Sequence, residues 1–379
     1  MQEVNALAVK FRTILRFIPI QLTLLLLPFC GCLKAPNSGV RVEYVLGTFC
    51  RIDLFENGNA GLYGRLFDRL AELDRILSAN RDDSELALLN RNAGLEPTGV
   101  SPELSAVLER ALYFAGISGG AFDPAVGPLV KLWGISTDSP RIPRNGEIGA
   151  ALELVNWQDV DIMPDTGTGT ADGSAGMTVG TVFLRRPGMA LDLGAIAKGY
   201  AADELVRILR ETEVPGALID LGGNIYVWGN KADGKPWLVG VQDPLDSRGS
   251  YAGILELAGS ISVVTSGVYE RYFTGDDGKR YHHIFGLTED EDAGMKNPRG
   301  YPVENGLLSV TVIAVSSMDA DALSTSCFAL GYEKGLALAA ANGAEVLFIF
   351  EDKTIRGSPG AMSVFTVSNN SFRVSKSPL

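Results

Sequence analysis

Histidine is almost missing from this chain: its 379 residues hold two, His282 and His283, side by side. A mechanism that needs an imidazole near neutral pH must use one of them. Cysteine is scarce as well. Two of the four, Cys30 and Cys32, lie near the N-terminus, so Cys50 and Cys327 are too few for a disulfide framework and are expected as small buried side chains. Positive charge is in deficit, with 33 Lys and Arg against 45 Asp and Glu, a net charge of -12. That balance excludes wrapping a nucleic acid, which needs clustered Lys and Arg. An anionic ligand would need a local device against the general repulsion, either a bound cation or a helix N-terminus.

No apolar run reaches the roughly 20 residues of a confident membrane span. The longest, from Ile18 to Phe29, is interrupted by Pro19, Gln21 and Pro28, follows Lys10, Arg12 and Arg16, and stops at Cys30-Gly31-Cys32. A basic stretch, a short apolar core and a small residue before Cys form an export signal. Cys32 follows small Gly31, whereas Cys30 follows bulky Phe29. Cys32 is therefore read as the lipid-modified first residue of the mature protein, with residues 1–31 as signal and 32–41 as tether; an uncleaved anchor or a plain secretory signal are the alternatives. On this reading the protein sits on the periplasmic face of the inner membrane.

Residues 42–379 read as one domain. Val40–Leu54 suggests two strands broken at Gly47-Thr48. Leu62, Leu66, Leu70, Leu73 and Leu77 recur at helical spacing. Ser84 and Ser101-Pro102 start two more helices. A helix from Ala195 to about Leu209 follows the strand Leu191-Asp192-Leu193, strands are expected near 217–221, 224–228, 237–242, 261–265, 307–315 and 345–351, and helices over 320–330 and 333–342. Hairpins mixed with helices predict an α+β fold of mixed sheets with flanking helices in two packed lobes. Two stretches, Met163 to Thr181 and Glu289 to Lys296, carry no periodic apolar face and read as surface insertions.

Four groups of residues offer chemistry. Arg280 to Phe285 alternates like a strand, so at most one histidine faces a given cleft; a structural pair is the competing reading. Asp321 and Thr325 are four apart, so a carboxylate and a hydroxyl share one helix face. Such oxygen ligands suit magnesium that also grips phosphates, although Asp319 or Asp321 capping the helix explains the same residues. Asp192 to Tyr200 places a glycine break and Lys198 at a helix start, without the spacing of a phosphate-binding P-loop. Gly119-Gly120-Ala121-Phe122-Asp123-Pro124 sets an aromatic ring and a carboxylate beside a turn, for a planar ligand or for simple packing.

Taken in order, these segments resemble the ApbE-like FAD:protein FMN transferases. The matching stretches are Gly47-Thr48, Ser84-Glu85-Leu86 with Leu89-Asn90, Ser118 to Pro124, Val126 to Leu129, Trp133-Gly134, Leu191 to Tyr200, Asp220-Leu221-Gly222-Gly223-Asn224, Thr265-Ser266-Gly267, His283-Ile284 and Ala320 to Thr325. The resemblance implies a T-fold-like architecture and a reaction that moves FMN from FAD onto a Thr or Ser of an exported flavoprotein, such as a redox-pump subunit, with release of AMP. It further implies Mg²⁺ on Asp321, Thr325 and the Ala195 carbonyl, His283 as base, and FAD held by Leu46, Asn80, Ala121, Phe122, Asp123, Asp192, Lys198 and Ile284. One departure stands out: Asn80 occupies a position where the family often has Tyr, which opens plain FAD hydrolysis, or flavin binding without catalysis, as alternatives. The run after His283 is also interrupted from Gly286 to Lys296, with Asn297 in place of an Asp.

Overall fold

The computed structural model describes residues 39–164, 180–231, 233–288 and 298–375. Cys32, with its signal and the tether up to residue 38, lies outside them, as do Asn297, the stretch from Glu289 to Lys296 and the central part of the 163–181 stretch, whereas Val40 and Arg41, expected as tether, already pair in the first strand. Residues from Ser38 onward form one compact unit. Among the described residues no helix is long and apolar enough to cross a membrane.

A nine-stranded sheet carries the fold. Its order is Val40–Val45, Thr48–Leu54, Gly216–Leu221, Asn224–Gly229, Ile261–Gly267, Leu307–Ala314, Glu345–Phe350, Thr354–Gly357 and Arg373–Val374, antiparallel except for the last pair. Strand Glu345–Phe350 shows why both faces are covered. Val346 and Phe348 point into one core with the helices, while Leu347 and Ile349 point into a second core against a three-stranded sheet of Trp237–Gln242, Tyr251–Leu257 and Phe365–Val367. Period-two alternation with apolar residues on both faces demands a layer on each side. The result is the expected α+β fold: helices, central sheet, small sheet.

Helix Ala60–Leu77 buries Leu62, Leu66, Leu70, Leu73 and Leu77, and the Asn59 side chain caps it by accepting from the Leu62 N–H. The two helices expected over 320–330 and 333–342 are both present, as the two parts of Ser317–Ala341 on either side of Gly331, where φ of 78° and ψ of -178° interrupt the helical path. Its cap is Ser316, which accepts from the Asp319 N–H. Neither Asp319 nor Asp321 caps the helix: Asp319 pairs with Arg110 at 2.7 Å, and Asp321 lies inside the first turns. The 163–181 stretch begins and ends in paired strands, with Met163 opposite Thr181 and Pro164 opposite Gly180. Short strands and helices such as Gly127–Trp133 and Asn145–Leu152 escaped the sequence reading because a span of one or two turns shows too little periodicity.

Two hairpin tips meet at one end of the central sheet. Leu46 and Gly47 turn between the first two strands with φ of 55° and 68°, and Gly222 and Gly223 turn between the third and fourth with φ of 68° and 94°. A two-residue hairpin turn of type I′ has positive φ at both positions, which glycine adopts freely. Leu46 holds that conformation with a side chain, a costly choice that clusters at functional sites. The turns also sit close together, since a Cβ on Gly222 would lie 2.3 Å from the Thr48 hydroxyl.

Candidate active site

Helix Ala197–Leu209 begins at this end of the sheet, and Ser317–Ala341 crosses it. The two touch so closely that a Cβ on Gly199 would lie 2.2 Å from the Ser317 carbonyl oxygen. The contact lets the Gly199 N–H donate to Asp321 Oδ2 at 3.0 Å, while Lys198 Nζ stands 3.6 Å from the same oxygen and donates to the Gly194 carbonyl at 3.0 Å. Asp203, four residues on from Gly199, accepts from the Ser317 and Met318 N–H groups and from the Ser316 hydroxyl. One helix thus clamps the first turn of the other, and Asp321 is aligned by both. Upstream, the Asn90 amide holds Leu191 through both its backbone groups, at 2.7 and 2.9 Å.

Thr325 stands one turn beyond Asp321. Ser324 Oγ donates to the Asp321 carbonyl at 2.8 Å, which uses its only proton. Ser266 Oγ, 2.8 Å from Ser324 Oγ, therefore donates there, and the Thr325 hydroxyl donates to Ser266 at 3.1 Å. This chain leaves the Thr325 lone pairs available. Outer groups that orient a ligand oxygen in this way are a regular part of cation sites.

Of the strand expected from Arg280 to Phe285 only Arg280–His282 forms; the chain bends at His283, and there the two histidines part. His282, 4% exposed, donates from Nε2 to the Val303 carbonyl at 2.9 Å and accepts at Nδ1 from the Ile284 N–H. Its ring meets Phe328 edge-on, and burial pushes its imidazole down to about 4. It is the structural member of the pair. His283 is half-buried and opens onto a cavity; its Nδ1–H donates to the Arg271 carbonyl at 3.2 Å. Burial first, then the Arg271 guanidinium and His282, push its imidazole down to about 3. The ring is neutral at pH 7, with Nδ1 committed and the Nε2 lone pair left to act as a base.

Two adjoining cavities share Gly47, Ser136, Asp192, Gly194, Lys198, Glu270 and Arg271. The inner, of about 330 Å³, brings together Ala121, Phe122, Asp123, Asp192, Ala195, Lys198, His283, Ile284, Asp321 and Thr325. The outer, of about 680 Å³, holds Leu46 and Asn80 with Tyr44 and Tyr272. Every expected site residue within the described part of the chain therefore lines one of these two spaces. Asp123 has a second task. Its two oxygens accept from the Ala125 and Trp157 N–H groups, and burial raises its carboxyl to about 6. Phe122 is 4% exposed and packs edge-on to Phe114, so little more than its edge reaches the inner wall.

Residues that the sequence reading did not single out as ligands also face these spaces: Arg248, Glu270, Arg271 and Asn224 in the inner cavity, Tyr44 and Tyr272 in the outer. With Lys198, the two arginines supply the positive charge that a chain of net charge -12 needs locally. Arg271 follows Thr265-Ser266-Gly267 closely enough to have been suspected; Arg248 comes from a separate loop, and nothing in the local sequence marks it.

The sequence model of the ApbE family matches residues 46–348. The chain belongs to the ApbE family. It is 41% identical over 347 residues to the FAD:protein FMN transferase of Treponema pallidum, covering 87% of this chain and 90% of that one. Over 313 residues it is 37% identical to a protein of the same name from Klebsiella pneumoniae, covering 82% of this chain and 89% of the other. Among solved structures, the ApbE protein of Thermotoga maritima superposes with a TM-score of 0.73 at 29% identity, covering 86% of this chain and 98% of that one. The flavin transferase ApbE of Vibrio cholerae gives 0.71 at 28%, with the same coverage.

Proposed function

We propose that this chain transfers FMN from FAD to a Thr or Ser hydroxyl of an exported protein, forming a phosphoester and releasing AMP. The observation that carries the reading is the tautomer of His283: with Nδ1–H given to Arg271, Nε2 can take the proton from an attacking hydroxyl in the cavity that holds Asp321 and Thr325. The donor set fits a magnesium ion. Asp321 is 3% exposed, has one oxygen on the Gly199 N–H, and carries no other protein hydrogen bond to its carboxylate among the described residues; Thr325 presents lone pairs, and Ala195 lies in the same wall. One carboxylate, one hydroxyl and one carbonyl make a sparse set, suited to a hard cation that completes its shell with phosphates and water. When bound there, Mg²⁺ would neutralise charge on the pyrophosphate. Lys198, Arg248 and Arg271 would hold the phosphates, and the outer cavity offers room for the remaining part of FAD.

The test is to incubate the purified protein with FAD, Mg²⁺ and an exported flavoprotein, then weigh the acceptor. An acceptor that gains no FMN mass, while the protein is folded and binds FAD, ends this reading.

Asn80 favours a second reading, Mg²⁺-dependent FAD hydrolysis. Its side chain stands exposed in the outer wall, where an aromatic ring would shield the site from water. Release of FMN and AMP without acceptor would support it, and N80Y should suppress that release. Hydrolysis unchanged in N80Y removes the case for Asn80. The setting proposed for either reaction is the periplasmic face of the inner membrane, with a lipid on Cys32. Metabolic labelling with a palmitate analogue, lost in C32A, checks the anchor.

A further inference from the structure

The motif Asp220-Leu221-Gly222-Gly223-Asn224 has so far explained only a turn. Asp220 Oδ1 accepts from the Gly223 N–H at 2.8 Å, and the two glycines make the tip. Asn224, the first residue after it, is unlike the rest. It is 1% exposed and forms part of the inner cavity wall. Its Oδ1 accepts from the Ser317 hydroxyl at 2.8 Å, and Ser317 in turn accepts from Ser262 at 2.8 Å. Its Nδ2 has no protein partner among the described residues.

A buried amide without an acceptor costs about 1–3 kcal/mol, so an orphan held in a fixed rotamer calls for a reason. Of the buried side-chain atoms left unpaired among the described residues, this one belongs to the cavity wall. Its surroundings narrow the ligand. Asn224 pairs in register with Val264, and Ser266, two residues on, holds the Thr325 hydroxyl. Ser317, its other partner, opens the helix that carries Asp321. The donor therefore belongs to the same cavity wall as Asp321 and Thr325, and its residue is tied to the first residue of a helix, whose positive end favours negative charge.

We infer that Asn224 Nδ2 is a binding donor for a phosphate oxygen of the flavin nucleotide, in the cavity that the functional reading above assigns to FAD. Ser317, with Ser262 behind it, positions the amide by occupying Oδ1. A neutral donor suits the place: an Asp there would set a second carboxylate against the phosphate. Reversing the amide would give Nδ2 to Ser317 and leave Oδ1 facing the cavity, an acceptor that a phosphate cannot use.

The experiment measures binding of FAD, FMN and riboflavin by quenching of flavin fluorescence, with and without Mg²⁺. N224A should weaken FAD and FMN by about tenfold or more and leave riboflavin unchanged, since a hydrogen bond to a charged group is among the stronger ones. N224D keeps the shape and the Ser317 bond, reports if N224A fails to fold, and should weaken the two nucleotides at least as much. Riboflavin weakened equally would put the contact on the ring and overturn the inference. Nucleotide binding retained by N224D or N224A would leave the amide a purely structural role and overturn it as well. A wild-type protein that binds no FAD overturns the functional reading and this inference with it, whereas wild-type binding that N224A leaves untouched overturns this inference alone.

Discussion

His282 and His283 are adjacent in the chain and are held in opposite tautomers. His282 carries its proton on Nε2, given to Val303, and His283 carries its proton on Nδ1, given to Arg271. The strand Arg280–His282 ends between them and the chain bends at His283, so one ring enters the core and the other the cavity. Each then takes the tautomer that the nearest carbonyl dictates.

The first prediction concerns that pair. In ¹⁵N-edited spectra of the untagged protein, two imidazoles should show one Nε2–H and one Nδ1–H form. Neither should titrate between pH 8 and pH 5.5, because burial sets His282 to about 4 and His283 to about 3. The sign for stability follows. Lowered folded values mean that the unfolded chain binds the proton first, so the contribution of buried His282 is intact above pH 6.5 and is lost as the pH falls toward 4. The slope within that window is at most about 1.4 kcal/mol per pH unit for one group. A histidine that titrates near 6.5 in the folded protein contradicts the assignment.

Separating the two roles is the second. H283A should lower transfer by about 10²- to 10⁴-fold, the usual worth of a general base, with little change in thermal midpoint. H282A should do the reverse in kind, destabilising by about 1–3 kcal/mol because the Val303 carbonyl and the Ile284 N–H lose their buried partner. Equal loss of activity in both folded variants would contradict the division.

The third concerns the cation. D321N should raise the Mg²⁺ concentration for half-maximal activity by about tenfold or more, and S266A, which frees the Thr325 hydroxyl from its partner, by about tenfold. The wild type should gain thermal stability from Mg²⁺ in the presence of FMN, and D321N should lose most of that gain. An unaltered Mg²⁺ dependence in both variants argues against this site.

Gly199 supplies the fourth. A methyl group there meets the Ser317 carbonyl at 2.2 Å, a backbone atom that cannot step aside alone. G199A should cost about 1–3 kcal/mol through overpacking and should shift Asp321 away from the Gly199 N–H. Denaturant midpoints read the first effect and the Mg²⁺ requirement reads the second. A fully stable G199A with unchanged Mg²⁺ need would refute the close crossing.

Much of this was legible along the chain because it is local. The leucine spacing of helix Ala60–Leu77, the strand on either side of Gly47, and the four-residue step from Asp321 to Thr325 depend on backbone periods alone. Composition determined more: two histidines left one candidate pair for a base, and the excess of acid required positive charge gathered locally around any phosphate. What tertiary structure decided is how those pieces face one another. That Asp321 lines the cavity and does not cap the helix depends on Ser316 taking the cap and on Gly199 allowing the two helices to touch. That His283 and not His282 opens onto the cavity depends on His282 packing against Phe328 at the strand's end while the bend at His283 carries its ring to the Arg271 carbonyl. Arg248 and the unpaired arm of Asn224 reach the site from segments remote in sequence. Hydrogen-bond satisfaction is a property of atoms within about 3 Å of each other in space, and no spacing along the chain encodes it.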